Sequence, residues 1–310
     1  MTVKKIWLTL GMAFLVGVTG VVSQESRGGE YKGLSKEIAA LAAGKRAVLG
    51  VSVLDDGGNV VAGVNDSVAF PMLSVFKFPC ALAVLDKMNR ENISRDSCIY
   101  VSKAQLPSGT YSPLRERYPE GGISLTLHQL LSYSLSLSDN NACDILIKWA
   151  GGTETVQEYM ASLGFHDIKI CADEADMHIS PEMQYLNKAT PRDVAKLFYR
   201  CLSTDVLPLP HRRELEQILL QTATGLDKLP AGLPADAAVG HKTGSSDRLA
   251  NGMKIADNDA GFVLLPDGRR YYIAVFVTDS YETDAVNAAI IAAVSSLVYE
   301  YMSGRTGHPD

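Results

Sequence analysis

The chain reads as α/β in the α+β sense: an antiparallel sheet formed by both termini, with flanking helices, and an inserted all-α lobe. Three observations predict this. Near the N-terminus a helical period gives way to two strand-like segments around a glycine turn. Near the C-terminus two strand-like segments precede a long apolar helix. Between them, nearly every periodic segment repeats at helical spacing.

Residues ahead of the fold are read first. Lys4 and Lys5 precede an apolar run from Ile6 to Val22, followed by Ser23-Gln24-Glu25-Ser26. A basic front, an apolar centre and small exit residues (Val21, Ser23) are the pattern of a secretory signal cut after Ser23. Residues 1–23 are therefore expected to be removed, leaving a periplasmic or secreted protein with no stable membrane association. The remaining 287 residues (310 minus 23) suffice for one large domain or two lobes.

Leu34 to Ala43 has apolar residues at helical spacing, with Lys36 and Glu37 outward. Arg46 to Leu54 alternates like a strand, Gly57-Gly58-Asn59 turns the chain, and Asn59 to Gly63 is the returning strand. Helices are expected over Leu73–Lys87, Leu127–Ser134, Asn141–Ala150, Thr153–Leu163, Pro191–Leu202 and Arg212–Thr222. Pro191 opens one of them and Gly151-Gly152 ends another. Cys171 to Thr190 has acids, proline and no period, which reads as a long loop. Ala237 to Val239 starts a strand. Gly261–Leu265 and Tyr271–Thr278 are strands joined by Pro266-Asp267-Gly268, and Thr283–Met302 is the closing helix. The expected division is an α/β lobe from 24–70 and 226–310 and an all-α lobe from 71–225, with the active site where they meet.

The formal net charge is −6, and no basic stripe is present, which argues against nucleic acid as a partner. Five cysteines, an odd number, fit no zinc spacing and leave at least one thiol free or paired between chains. Most are expected as buried thiols. No metal or cofactor is expected, and a monomer is.

Several short strings carry chemistry. Ser74-Val75-Phe76-Lys77 puts a hydroxyl and an amine on one helical face, at the edge of the apolar run Ala81 to Leu85. A serine needs a neighbouring base to become a nucleophile, and a desolvated lysine can serve. At a helix start, the Ser74 N–H also points at developing negative charge. Ser138-Asp139-Asn140 offers a hydroxyl to pass a proton, an acid to brace the turn and an amide to hold a carbonyl. Lys242-Thr243-Gly244-Ser245 follows a strand. Its glycine leaves an edge a ligand can lie against, its Ser245 N–H can complete an oxyanion site, and Lys242 and Thr243 suit a carboxylate. Each string alone is as well explained by capping, solvation or a strand end. Together they hold what is needed to open a strained cyclic amide through an acyl-serine.

With these strings in this order, separated by 64 residues (138 minus 74) and 104 residues (242 minus 138), the chain resembles the class A serine β-lactamases over essentially its whole mature length. Tyr111-Ser112-Pro113 resembles that family's segment at the cleft wall. Typical members carry Glu-x-x-Leu-Asn, whose Glu and Asn hold the deacylating water. Here Glu182 to Asn187 is one residue too long, and Glu174-Ala175-Asp176-Met177-His178 is the better match. It looks like the variant loop of the PER-type cephalosporinase subgroup, with His178 in place of the Asn. Ser138 to Asp144 also resembles that subgroup; typical members have Asn where Asp144 stands. Lys228 falls where the subgroup places a basic residue for the substrate carboxylate, although a lysine lacks the bidentate grip of an arginine.

The resemblance implies a serine hydrolase acting on penicillins and cephalosporins and conferring antibiotic resistance. Ser74 is the nucleophile, with Lys77 or Glu174 as the acylation base. Ser138 and Lys242 protonate the leaving nitrogen, and Glu174 and His178 handle the water. Substrate contacts are expected from Tyr111, Asn140, Lys228, Thr243, Gly244 and Ser245. Leu73 and Ser246 stand where some carbapenem-hydrolysing members have a disulfide, which counts against that activity. The rival readings are a penicillin-binding DD-peptidase and a non-hydrolysing β-lactam sensor domain.

Overall fold

A computed structural model describes residue 31 and residues 33–304; the segment read as a secretory signal lies outside them. From the N-terminus, α1 (Leu34–Leu41) leads into β1 (Val48–Leu54), β2 (Val60–Val64) and β3 (Phe70–Pro71). A 3₁₀ turn over Leu73–Phe76 runs into α2 (Lys77–Arg90). Then come β4 (Cys98–Val101), α3 (Pro113–Arg117), β5 (Ile123–Thr126), α4 (Leu127–Ser136), α5 (Asn140–Ala150), α6 (Thr153–Ser162), α7 (Glu174–Met177), β6 (Lys188–Ala189), α8 (Pro191–Ser203) and α9 (Leu209–Leu220). The chain closes with β7 (Val239–Ser245), β8 (Lys254–Leu264), β9 (Arg270–Ser280) and α10 (Asp284–Met302).

The main sheet has the order β2–β1–β9–β8–β7, with every neighbour antiparallel. The hairpin from the front of the chain thus pairs with the last strand, Val51 opposite Val275. Its turn is held by Asp55, whose Oδ1 accepts the N–H groups of Gly57 and Asn59. Both faces of the sheet are covered, so β9 is apolar from Tyr271 to Val277 and its alternation sorts residues between two cores. Tyr271, Ile273, Val275 and Val277 pack with α1 and α10, while Tyr272, Ala274 and Phe276 pack with the helical region. The helix α10 is long and apolar enough to cross a membrane, but Ile290, Ile291, Val294 and Val298 bury it against the sheet. Thr283 caps its start by accepting the Val286 N–H at 3.2 Å.

Four segments differ from expectation. Within 71–225, expected to be all-α, β4 and β5 pair as a small antiparallel sheet. The helix predicted from Leu73 begins as α-helix only at Lys77, because Leu73 sits in the left-handed region (φ 46°) and the next residues form a 3₁₀ turn. The strand expected from Gly261 starts at Lys254; Lys254, Asp257, Asn258 and Asp259 hid its first half, yet all are buried and engaged in side-chain contacts. The loop Cys171–Thr190 contains α7, a 3₁₀ turn over Pro181–Tyr185 and β6, which pairs with β3. The short α7 forms because Asp173 and Asp176 cap it reciprocally.

Candidate active site

Two backbone positions shape the nucleophile turn. Gly244 on β7 lies so close that a Cβ there would meet the Met72 carbonyl oxygen at 2.5 Å and the Ser74 nitrogen at 3.1 Å. The space a side chain would fill belongs to the chain's own backbone, which is why a glycine is needed here. From β8, the Asn258 side chain donates to the carbonyls of Pro71 (2.9 Å) and Met72 (3.1 Å), fastening the same turn to the sheet. Since Ser246 donates to Ala256 in the ladder, neighbouring Ser245 occupies a non-hydrogen-bonded position of this edge strand and its N–H points away from β8. The N–H groups of Ser74 and Ser245 are thereby brought to one place.

Ser74 Oγ donates to Glu174 Oε1 at 3.3 Å, and the same carboxylate oxygen lies 2.9 Å from Lys77 Nζ. The Ser–Lys pair thus meets through the acid and not directly. Lys77 is fully buried and has further acceptors in Ser138 O at 2.7 Å, Asn140 Oδ1 at 2.6 Å and, at 3.5 Å, Ser138 Oγ. Asn140 Nδ2 donates to Thr110 Oγ1 at 2.6 Å. Ser138 is held in the left-handed region (φ 56°), the kind of strain that persists where surroundings impose it. Asp139 imposes it by accepting from Ser112 Oγ, the Leu114 N–H (2.6 Å) and the Ala142 N–H (2.8 Å). Burial raises the pKa of the Asp139 carboxyl, and those donors pull it back.

Lys242 is completely buried; its Nζ donates to Ser138 Oγ and to the Thr243 carbonyl, both at 2.8 Å. Burial first, and the charge of Lys77 second, press its pKa well below the usual lysine value. An amine that holds its proton weakly and touches Ser138 can pass that proton on. It does not line the cleft; on β7, Thr243, hydrogen-bonded to Thr224 at 2.7 Å, and Ser245 do.

Glu174 opens α7 and is buried. Asp144 on α5 holds it from behind, with Oδ1 accepting the Glu174 N–H (2.8 Å) and Oδ2 the Ala175 N–H (3.1 Å). Burial, reinforced by the neighbouring Asp173 and Glu174, pushes the Asp144 carboxyl up to about 7 against those two bonds. His178 Nδ1 lies 2.6 Å from the Glu174 carbonyl, which can only accept, so this bond assigns the proton to Nδ1; Nε2 then faces Thr110 Oγ1 at 3.3 Å. The ring therefore ties α7 to the Thr110 segment. Glu182 is exposed and accepts from Ser180; Asn187 is buried and braces the base of the loop through Cys171, Ala172 and the Ala172 carbonyl.

Lys228, expected to bind the substrate carboxylate, is buried. Its Nζ is 3.1 Å from Ser245 Oγ and paired with Asp257, which also accepts from Ser245 Oγ at 2.6 Å and from Lys254 at 3.0 Å. Tyr111, 54% exposed, stands at the cleft wall. The cleft measures about 560 Å³ and is lined by Ser74, Ser138, Asn140, Glu174, His178, Lys228, Thr243 and Ser245 among others. Thr110, Thr224, Asp257 and Asn258 were missed in the sequence. For the last two the available signal was a polar run inside a strand next to apolar neighbours, since buried polar groups require partners.

The description "Beta-lactamase enzyme family" matches residues 33–302. A β-lactamase of Bacteroides uniformis is 49% identical over 273 residues, covering 87% of this chain and 91% of its own. The extended-spectrum β-lactamase PER-1 of Pseudomonas aeruginosa is 35% identical over 268 residues, covering 86% and 87%. A class A β-lactamase structure from Bacteroides cellulosilyticus superposes with a TM-score of 0.86 at 48% identity, covering 89% of this chain and 99% of that one. The chain belongs to the β-lactamase enzyme family, as a class A serine enzyme near the PER type that hydrolyses the amide of β-lactam antibiotics and so confers resistance to them.

Proposed function

We propose that Ser74 carries the acyl group and that Glu174 is the base in both half-reactions. The supporting observation is that Ser74 Oγ donates to Glu174 Oε1 while Lys77 is surrounded by acceptors. In acylation the Ser74 proton passes to Glu174 as Oγ attacks the lactam carbonyl, and Lys77 stabilises the charge. The N–H groups of Ser74 and Ser245 receive the oxyanion. Ser138 protonates the leaving nitrogen and is resupplied by Lys242 across their 2.8 Å contact; the proton taken by Glu174 passes through Lys77 and Ser138 back to Lys242, so that Glu174 is a free base again. A water activated by Glu174 then releases the product, with His178 fixing the loop that carries the base. Thr243, Thr224, Ser245 and Lys228 suit the substrate carboxylate, and Tyr111 and Asn140 flank its side chain. Penicillins and cephalosporins are the proposed substrates of a two-lobed monomer, whose export is supported by the N-terminal pattern.

Mass spectrometry with excess cephalosporin tests this. The parent should return to free enzyme with opened drug. Glu174→Gln should slow both half-reactions, lowering turnover by about 10²–10⁴, with every adduct that forms lying on the peptide bearing Ser74, while Glu182→Gln should turn over like the parent. The reverse pattern would move the base to the other acid.

A further inference from the structure

One helical turn beneath the catalytic groups, two thiols face each other. Lys77 and Cys80 are three residues apart on α2, and Asn140 and Cys143 are three apart on α5. The 2.6 Å bond from Lys77 Nζ to Asn140 Oδ1 sets the two helices in register at their N-terminal ends. A turn further in, the same two faces meet again, and the Cys143 thiol lies close enough to Cys80 for the two to act on each other. Both side chains are buried, 2% and 0% exposed. Ala81, Ala83 and Ala142 beside them are small and buried, so these backbones can approach closely. Neither sulfur has a part in the lactam chemistry.

We infer that Cys80 and Cys143 form a modification site, a dithiol that closes to an internal disulfide when the chain folds under oxidising conditions. The bond clamps the helix of the nucleophile to the helix of Asn140, directly below the groups that position Lys77. The oxidant is an external disulfide, either a small molecule or a protein. One cysteine thiolate attacks it and expels a first thiolate. The second cysteine attacks this chain's sulfur in the mixed disulfide and expels the other. Two cysteine thiols are oxidised, one disulfide is reduced to two thiols, and both protons end on the leaving sulfurs. The exchange belongs to folding. In the folded enzyme reagents cannot reach either sulfur, and burial raises the Cys143 pKa well above its usual value, so little thiolate forms. The fold then preserves whichever state it was made in. Cys98 and Cys171 are exposed and Cys201 lies on α8, so none of the three belongs to the buried pair between α2 and α5.

The experiment uses the wild-type chain refolded with a mixture of reduced and oxidised glutathione, which makes it independent of the export reading and of the catalytic assignment. Trapping in denaturant with iodoacetamide, followed by digestion, should give a peptide pair joining Cys80 to Cys143, lighter than the sum of its parts by two hydrogens, with the other three cysteines alkylated or carrying glutathione and none joined to another cysteine of the chain. Protein refolded with dithiothreitol should be alkylated at all five and unfold roughly 10 °C lower, as expected for a closed loop of 62 residues (143 minus 80, minus one). The unfolding midpoint of Cys80→Ala/Cys143→Ala should not depend on the redox mixture. Alkylation of both thiols after refolding with oxidised glutathione, or a link from either to another cysteine, overturns the inference.

Discussion

At the residue scale, Asp144 shows how an uncommon substitution is accommodated. Its carboxylate accepts two backbone N–H groups of the catalytic turn, yet burial beside other acids holds its pKa near 7, against 3.8 in the unfolded chain. Between those values the folded state binds the extra proton, so this group favours the fold most at acidic pH. That contribution is lost as pH rises through about 7, at most about 4 kcal/mol from about 1.4 per unit. Going from about pH 5 to about pH 8 should therefore lower the melting midpoint of the parent more than that of Asp144→Asn. Parallel curves for the two proteins would rule out this role. The residue was visible in the sequence as a departure from the family pattern. Its two bonds were not, because they join residues 30 and 31 positions apart.

At the element scale, the edge strand β7 and the turn before α2 are one unit. Strained Leu73, the absent side chain of Gly244 and the grip of Asn258 together place two N–H groups side by side. Gly244→Ala should push the turn off the strand, because the Cβ meets backbone and not a yielding side chain. The expected loss is about 10²–10³ in kcat/KM, the usual cost of one oxyanion donor, with little change in the circular dichroism of the fold. A variant with parent-like kinetics would show that the close approach is not needed. The Lys-Thr-Gly string announced a strand and a special glycine; it did not say against which surface the glycine lies. Likewise α7 is a local event, encoded by Asp173 and Asp176, and short enough for an aperiodic segment to conceal it.

At the scale of the whole molecule, a sheet buried on both faces holds the site rigid from behind. Ile291 on α10 is fully buried in the core on the face away from the cleft. Ile291→Ala should cost about 2–5 kcal/mol and lower the thermal midpoint, while kcat at room temperature stays near the parent value; a matching loss of kcat would reveal coupling between that core and the site. Periodicity was enough to foresee the terminal hairpin, the apolar strand β9, the closing helix and the helical middle, because alternation and helical spacing are set by which side chains must leave water. Ordered strings were enough to nominate Ser74, Lys77, Ser138, Glu174 and Lys242, since these residue types carry the reactive groups wherever the chain goes. Folding alone settled which atoms touch. Glu174 Oε1 came between Ser74 and Lys77, Lys228 turned inward onto Asp257, and the front half of β8 proved to be a strand lined with charge. The reason is physical: a polar residue buried with a partner looks, in one dimension, the same as one facing solvent, and its partner is found only when distant segments meet.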